Sequence, residues 1–186
     1  MSAYILYYIL GIVMLPGIIL GIVAQCKVVS TFNEYNSVQT SRGRTAKEVA
    51  RSMLDGGNCL ETKIAYVSGN LTDHYNPRTN TVSLSDSVAN KSSIAAIGVA
   101  AHEVGHVFQH KQKYAPVKIR SALAPVLTIS SYLMWPMIII GLIFEVLYLS
   151  TWATWLIYAG LAIYGLNTVF CLVTLPVELN ASKRAY

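Results

Sequence analysis

The sequence predicts an α+β membrane protein, with three transmembrane helices and a small cytoplasmic domain built from a helix, an antiparallel meander of strands and a second helix. Hydrophobic residues make up 54% of the 186 residues and charged residues only 12%, against roughly 25% charged in soluble domains. Residues 1–26, 121–144 and 146–177 contain no Asp, Glu, Lys or Arg. Because ~20 helical residues cross a ~30 Å hydrocarbon core, each stretch can span a bilayer. This composition excludes a disordered or fibrous protein.

The predicted spans lie at about residues 4–23, 122–144 and 152–175. The first is interpreted as an uncleaved anchor, because it lacks the basic region and small-residue cleavage site of a signal peptide. The alternative for the other two is a buried helical hairpin, but the chain offers too little other protein to bury one. The predicted organisation has four parts: a transmembrane anchor at 1–24, a cytoplasmic domain at 25–121, a transmembrane hairpin at 122–175 and a cytoplasmic tail at 176–186.

The cations lie on one side of these spans. Of the 14 Lys and Arg residues, 12 fall between positions 25 and 121 and the other two, Lys183 and Arg184, lie in the tail. Since cations near span ends are retained in the cytoplasm, the N-terminus is expected outside and both the central segment and the tail inside. The net charge of +5 is therefore a signal of topology. Because the cations form no dense run interleaved with aromatic residues, no nucleic-acid partner is expected.

The central segment begins with a short amphipathic helix. Thr45 and Glu48 form a capping box, and apolar residues then recur at helical spacing from position 46 until Gly56 and Gly57 end the pattern. Alternating apolar residues and intervening turns predict three short strands, at residues 62–68, 71–75 and 81–85. Because the connections are short, we expect an antiparallel meander.

A second helix is predicted over residues 92–111, with Ser92 or Ser93 as its N-cap. It contains His102-Glu103-Val104-Gly105-His106, whose spacing places both imidazoles on one helix face, one turn apart, where a single metal ion can meet them. Glu103 projects beside them and is suited to act as a base. The alternative is a pair of hydrogen-bonded core histidines. One zinc ion is the expected cofactor, because two imidazoles and a carboxylate suit a tetrahedral catalytic site with one position left for water.

A third protein ligand is required, and the sequence offers four candidates: His74, Asp86, His110 and Glu178. His110 is disfavoured, because three histidines along one straight helix cannot converge on one ion. Glu178 follows the last span, and the two intervening spans return it to the side of the membrane on which His106 lies. The alternative for Glu178 is an ordinary juxtamembrane carboxylate that balances the two cations of the tail.

Motifs along nearly the whole chain carry a family resemblance: Ser41-Arg42-Gly43, residues 71–79, residues 100–106, Tyr114-Ala115-Pro116, Arg120-Ser121-Ala122-Leu123, and Leu175-Pro176-Val177-Glu178 with Ala181-Ser182. In these motifs the chain resembles the YugP family of membrane-bound neutral zinc metallopeptidases, which are similar to gluzincins. The resemblance implies a zincin-like domain with His102, His106 and Glu178 as zinc ligands and Glu103 as the catalytic residue. Related gluzincins often place an Asp four residues after the ligand Glu, whereas this chain has Ser182, a weaker partner for a histidine ligand.

The function expected from these features is peptide-bond hydrolysis by a zinc-activated water, with Glu103 as general base. His74 and Tyr75 are candidates for contacts with the transition state or the substrate, with turn and strand packing as the alternative. The expected partners are the lipid bilayer and a peptide or membrane-protein substrate, which an exposed sheet edge could bind as an added strand. A compact protease of this kind suits a bacterial plasma membrane. The alternatives are a non-catalytic, zinc-stabilised adaptor or scaffold and, less favoured because the spans hold no charge, a transporter or channel.

Overall fold

The structure, a computed structural model, describes residues 3–147 and 152–185. Within that part of the chain it has five helices and three strands, in the order α1 (Ala3–Asn36), α2 (Ala46–Gly56), β1 (Lys63–Val67), β2 (His74–Asn76), β3 (Thr81–Ser85), α3 (Ile94–Lys111), α4 (Ala115–Val146) and α5 (Ala153–Arg184). The predicted α+β class is confirmed. The chain forms two compact units: the first runs up to His74 and includes Val82–Ala101, and the second contains Tyr75–Thr81 and the residues from His102 onward.

Three helical segments are long and apolar enough to cross a bilayer: Leu15–Asn36 within α1, and the whole of α4 and α5. Large apolar side chains on all three are exposed, among them Ile19, Ile129 and Leu172, as expected of surfaces that face lipid. The predicted number of apolar helices is confirmed. The helices extend further than the predicted spans at the polar ends of α4 and α5, because a span ends where charge begins, whereas a helix continues as long as its backbone hydrogen bonds do.

The helices α4 and α5 pack against each other closely at two glycines. A Cβ atom at Gly141 would lie 2.7 Å from Cγ1 of Ile157, and one at Gly160 would lie 2.5 Å from Cγ1 of Ile138. Both distances are well below van der Waals contact, so any side chain at these positions would push the helices apart. At Gly165 of α5, by contrast, a Cβ atom would have nothing within 4 Å.

The helix α2 begins at the predicted capping box. The backbone N–H of Glu48 donates to Oγ1 of Thr45 at 3.3 Å, and the backbone N–H of Thr45 donates to Oε2 of Glu48 at 2.9 Å. The buried side chains of the helix are Ala46, Ala50 and Leu54. Val82 and Leu84 of β3, in the same unit, are also fully buried, so the first unit has a small apolar core.

The sheet has the strand order β1-β3-β2. The predicted meander, which would place the strands in sequence order, is therefore wrong. Burial explains the difference, because Val82, Leu84 and Ser85 of β3 are buried, whereas neither β1 nor β2 has a buried residue. Asp73 supports the arrangement, because its carboxylate accepts the backbone N–H of Ser85 at 2.7 Å and the Ser85 hydroxyl at 2.9 Å. Leu71 adopts a left-handed φ of +55°, so the second strand begins later than predicted.

The helix α3 is capped by the second of the two candidate serines. Oγ of Ser93 accepts the backbone N–H of Ala96 at 3.2 Å and donates to Oδ1 of Asn36, at the end of α1, at 2.8 Å. The helix then runs through both units: residues 94–101 belong to the first and residues 102–111 to the second. Its second half carries the side chains of the candidate site.

Candidate metal centre

The helix α3 presents His102 and His106 side by side, as the spacing of four residues predicts. Their ring centroids lie 4.8 Å apart, and the ring planes are nearly perpendicular, at 84°. In both rings Nε2 faces the same partner, Oε2 of Glu178 on α5, at 3.1 Å from His102 and 3.5 Å from His106. Two imidazoles and one carboxylate therefore converge from two helices.

Of the four candidates for a third ligand, the structure brings Glu178 to the two histidines. Among the described residues, His102, His106 and Glu178 form the group whose donor atoms all lie within 4.8 Å of one another. The other candidates lie outside this group. Asp86 is exposed, Nδ1 of His74 contacts the backbone oxygen of Thr72 at 3.0 Å, and the exposed ring of His110 lies edge-on to Tyr75 with 6.1 Å between centroids.

The donor types of these three residues, and the two separations that involve Glu178, fit a zinc ion. Donors bound tetrahedrally at the ~2.0–2.1 Å typical of zinc–nitrogen and zinc–oxygen bonds lie ~3.3 Å apart. The observed separations of 3.1 and 3.5 Å between the imidazole nitrogens and Oε2 of Glu178 bracket that value. Two imidazoles and a carboxylate are also a donor set that catalytic zinc sites use, with a further position left for water.

Each imidazole is held at its other nitrogen by a second residue. Oγ of Ser182, four residues after Glu178, lies 3.1 Å from Nδ1 of His102. Oε1 of Gln109 lies 2.9 Å from Nδ1 of His106. Such contacts fix ring orientation and leave Nε2 for the metal. The role of Gln109 was missed from the sequence, because a glutamine three residues after a histidine is common on an exposed helix face.

Arg120, near the start of α4, completes the surroundings of Glu178. Its Nη1 donates to Oε1 of Glu178, the oxygen that does not face the imidazoles. Both side chains are 38% exposed, so the ion pair contributes little to stability, but it directs Oε2 toward the histidines. In the sequence Arg120 appears only within a shared motif, although it is the last cation before a long uncharged stretch.

Glu103 follows His102 on α3 and is largely buried, with 9% of its surface exposed. Burial lowers the pKa of His106, but hydrogen bonds that the imidazole donates to Glu178 and Gln109, together with the negative charges of Glu103 and Glu178, outweigh this effect, so the pKa of His106 is raised above its usual value. The carboxylate of Glu103 is thus close enough to influence His106 electrostatically. A buried carboxylate beside a metal site is suited to accept and return a proton.

The approach of α3 to α5 depends on Gly105, which lies between the two histidines. A Cβ atom at this position would lie 2.3 Å from the backbone oxygen of Ala181 and 3.0 Å from its carbonyl carbon. No side chain fits there unless one helix moves. The glycine inside the motif therefore allows the histidines of α3 and Glu178 of α5 to lie close together.

Comparisons with known proteins identify the family of the chain. The sequence profile of a family described as "Putative neutral zinc metallopeptidase" matches residues 10–186. A protein of Bacillus subtilis (strain 168) named "Putative membrane protease YugP" is 40% identical to the chain over 162 residues, which is 87% of this chain and 69% of the relative. No solved structure is similar enough to count as a match. The chain therefore belongs to this family, as the motifs of its sequence indicate.

Proposed function

We propose that the chain is a membrane-embedded, zinc-dependent endopeptidase, in which His102, His106 and Glu178 bind one zinc ion and Glu103 acts as general base. The observation that carries this proposal is the convergence of three donor atoms within 4.8 Å next to a buried carboxylate on the same helix. A zinc ion that only stabilises a fold needs ligands but no proton acceptor. The presence of Glu103 therefore favours catalysis over the adaptor or scaffold alternative.

The residues of the chain divide the chemistry among them. Zinc, when bound, polarises the peptide carbonyl and lowers the pKa of a coordinated water to ~7. The carboxylate of Glu103 accepts a proton from the attacking water and donates it to the departing amine nitrogen. Arg120 holds Oε1 of Glu178, which keeps Oε2 directed at the imidazoles. For His74 and Tyr75, contact with the substrate or the transition state stays a prediction.

We further propose that the substrates are membrane proteins or their cytoplasmic loops. Glu178 lies three residues beyond the predicted end of the last span at position 175, which is ~4.5 Å along a helix, and α5 is helical throughout this region. Arg120 lies directly before the uncharged stretch of α4. The site is thus within one or two turns of the apolar part of both helices. The distribution of Lys and Arg supports a cytoplasmic location for it.

The test of this proposal measures zinc content and cleavage of casein or a peptide library by the full chain purified in detergent. We expect Glu103→Gln to retain zinc and to lose cleavage, because it removes the base but no ligand. We expect Glu178→Ala to lose both. Glu61→Gln, which changes an exposed carboxylate on the segment before β1, is the matched control and should retain both zinc and cleavage.

Two results would count against the proposal. Stoichiometric zinc with cleavage that Glu103→Gln leaves unchanged would favour the zinc-stabilised adaptor or scaffold. Zinc binding that survives Glu178→Ala would remove Glu178 from the ligand set. The proposed substrate class is tested separately in liposomes, with reporter proteins that carry one cleavable sequence either adjacent to a transmembrane segment or on a long tether. Preferential cleavage of the adjacent site is expected, and equal rates would contradict it.

A further inference from the structure

Gln109 is a polar side chain on α3 that is completely buried, with none of its surface exposed. A glutamine amide offers one acceptor oxygen and two N–H donors, and burying them unpaired would be costly. All of them have partners here. Nε2 donates to the backbone oxygen of Val177 at 2.7 Å and to Oδ1 of Asn180 at 3.1 Å, and Oε1 lies 2.9 Å from Nδ1 of His106.

These contacts fix which way the amide points. The backbone oxygen of Val177 can only accept a hydrogen bond, so the NH₂ group of Gln109 must face it, and Oε1 must face His106. Oε1 can also only accept, so Nδ1 of His106 must carry the hydrogen. In the neutral imidazole the lone pair then lies on Nε2, the nitrogen that is 3.5 Å from Oε2 of Glu178.

The same amide attaches the helix of the third ligand. Val177 and Asn180 flank Glu178 on α5, and both accept hydrogen bonds from Gln109. Oδ1 of Asn180 also accepts from Nε of Arg184 at 2.6 Å, so its own orientation is determined. One buried side chain therefore contacts a histidine of the candidate metal site and the backbone next to its carboxylate.

We propose that Gln109 is a positioning residue, which sets the tautomer of His106 and holds α5 against α3, so that the metal centre is preformed before the ion binds. The inference rests on the metal-binding role of His106 proposed above. It differs from a purely structural role in one respect: a tether between helices would affect stability alone, whereas a positioning residue also determines which nitrogen of His106 is protonated.

The test compares three variants of the full chain in detergent micelles. Gln109→Leu removes the acceptor and both donors. Gln109→Glu keeps an oxygen that can accept from Nδ1 of His106 but loses the donors to α5. Gln112→Leu is the matched control, because Gln112 is an exposed glutamine near the end of the same polypeptide segment and accepts a hydrogen bond from Arg184.

The first readout is the tautomer of His106 in the metal-free protein, measured by long-range ¹H–¹⁵N NMR of ¹⁵N-histidine-labelled samples at a pH where the imidazoles are neutral. We expect the Nδ1–H form in the wild type, in Gln109→Glu and in Gln112→Leu, and a mixture of both forms in Gln109→Leu. The second readout is zinc affinity by chelator competition, which we expect to fall roughly 10- to 100-fold in Gln109→Leu and to remain unchanged in Gln112→Leu.

Three outcomes overturn the inference: an Nε2–H form of His106 in the wild type, a retained Nδ1–H form in Gln109→Leu, or equal zinc affinities for that variant and the wild type. If Gln109→Leu fails to fold, the tautomers of the wild type and of Gln109→Glu test the inference instead. Loss of the Nδ1–H form in Gln109→Glu would also contradict it. Failure of the proposed function looks different. The wild type would then bind no zinc, or would bind zinc without cleavage that depends on Glu103, while the tautomer result would stand on its own.

Discussion

Replacing Gly105 by Ala adds one methyl group at the closest approach of α3 and α5. The new carbon would lie 2.3 Å from the backbone oxygen of Ala181, about 1 Å inside van der Waals contact. An oxygen of the main chain cannot rotate away, so the helices must separate. Alanine in a helix interior gains up to ~1 kcal/mol over glycine, but overpacking of this kind costs ~1–3 kcal/mol. The clash is therefore expected to outweigh the gain in helix propensity.

Zinc binding should suffer more than folding does. Glu178 lies three residues before Ala181, on an adjacent turn of α5, so a displacement of about 1 Å at Ala181 is transmitted to the carboxylate, whereas metal–ligand distances tolerate only ~0.2 Å. We expect Gly105→Ala to lower zinc affinity by ~100-fold or more, measured by chelator competition, and to lower the thermal unfolding temperature.

The matched control for this experiment is Gly98→Ala. Gly98 lies two turns earlier on α3, and a Cβ atom there would have nothing within 4 Å. This variant should raise the unfolding temperature slightly, because it gains helix propensity without a clash, and it should bind zinc like the wild type. If Gly105→Ala bound zinc as tightly as Gly98→Ala, the close approach of α3 to α5 would not be what assembles the site.

Three further predictions follow from individual contacts. Thr45→Ala removes the capping hydroxyl and should cost ~1 kcal/mol, seen as an unfolding temperature lower by about 2–4 °C, whereas Thr45→Ser should behave like the wild type. Ser182→Ala should weaken zinc binding about 10-fold, and Ser182→Asp, a stronger acceptor for His102, should restore or exceed the wild-type affinity; equal affinities would contradict this. Protons compete with zinc for Nε2 of His106, whose pKa is raised. As the pH is lowered, zinc affinity should therefore begin to fall at a pH above the usual histidine pKa of about 6.5, which chelator competition at a series of pH values measures. Zinc affinity that stays constant as the pH is lowered to the usual histidine pKa would contradict the raised pKa. In the metal-free protein, the stabilisation that protonated His106 provides should be lost as the pH rises through this raised pKa.

The sequence allows the two histidines to be paired because their relation is local: a spacing of four residues on a helix fixes it whatever the rest of the chain does. The identity of the third candidate ligand depends on contacts between residues that are distant in the sequence. The sequence offers four candidates, and only the path of α4 and α5 brings Glu178 to the histidines. Gln109 gives no signal of its own, since its burial depends on the close packing of α5 that Gly105 permits.

The sheet shows the same limit. The three strands could be located approximately from alternation and turn residues, but their order could not. Local spacing favours neighbours in sequence, whereas the burial of Val82 and Leu84 and the hydrogen bonds between Asp73 and Ser85 place β3 in the centre. The capping residues Thr45 and Ser93 are predictable because each acts within its own first helical turn.

The placement of Glu178 at the far end of α5 has a consequence for biosynthesis. Glu178 lies 76 residues after His102, and the whole of α4 and most of α5 lie within that interval. A nascent chain therefore emerges with both histidines long before the carboxylate. Its donor set is complete only when the final helix has been translated and has folded back beside α3. An immature or truncated chain thus lacks one of the three donors, and the proposed metal site is complete only when the hairpin of α4 and α5 is complete.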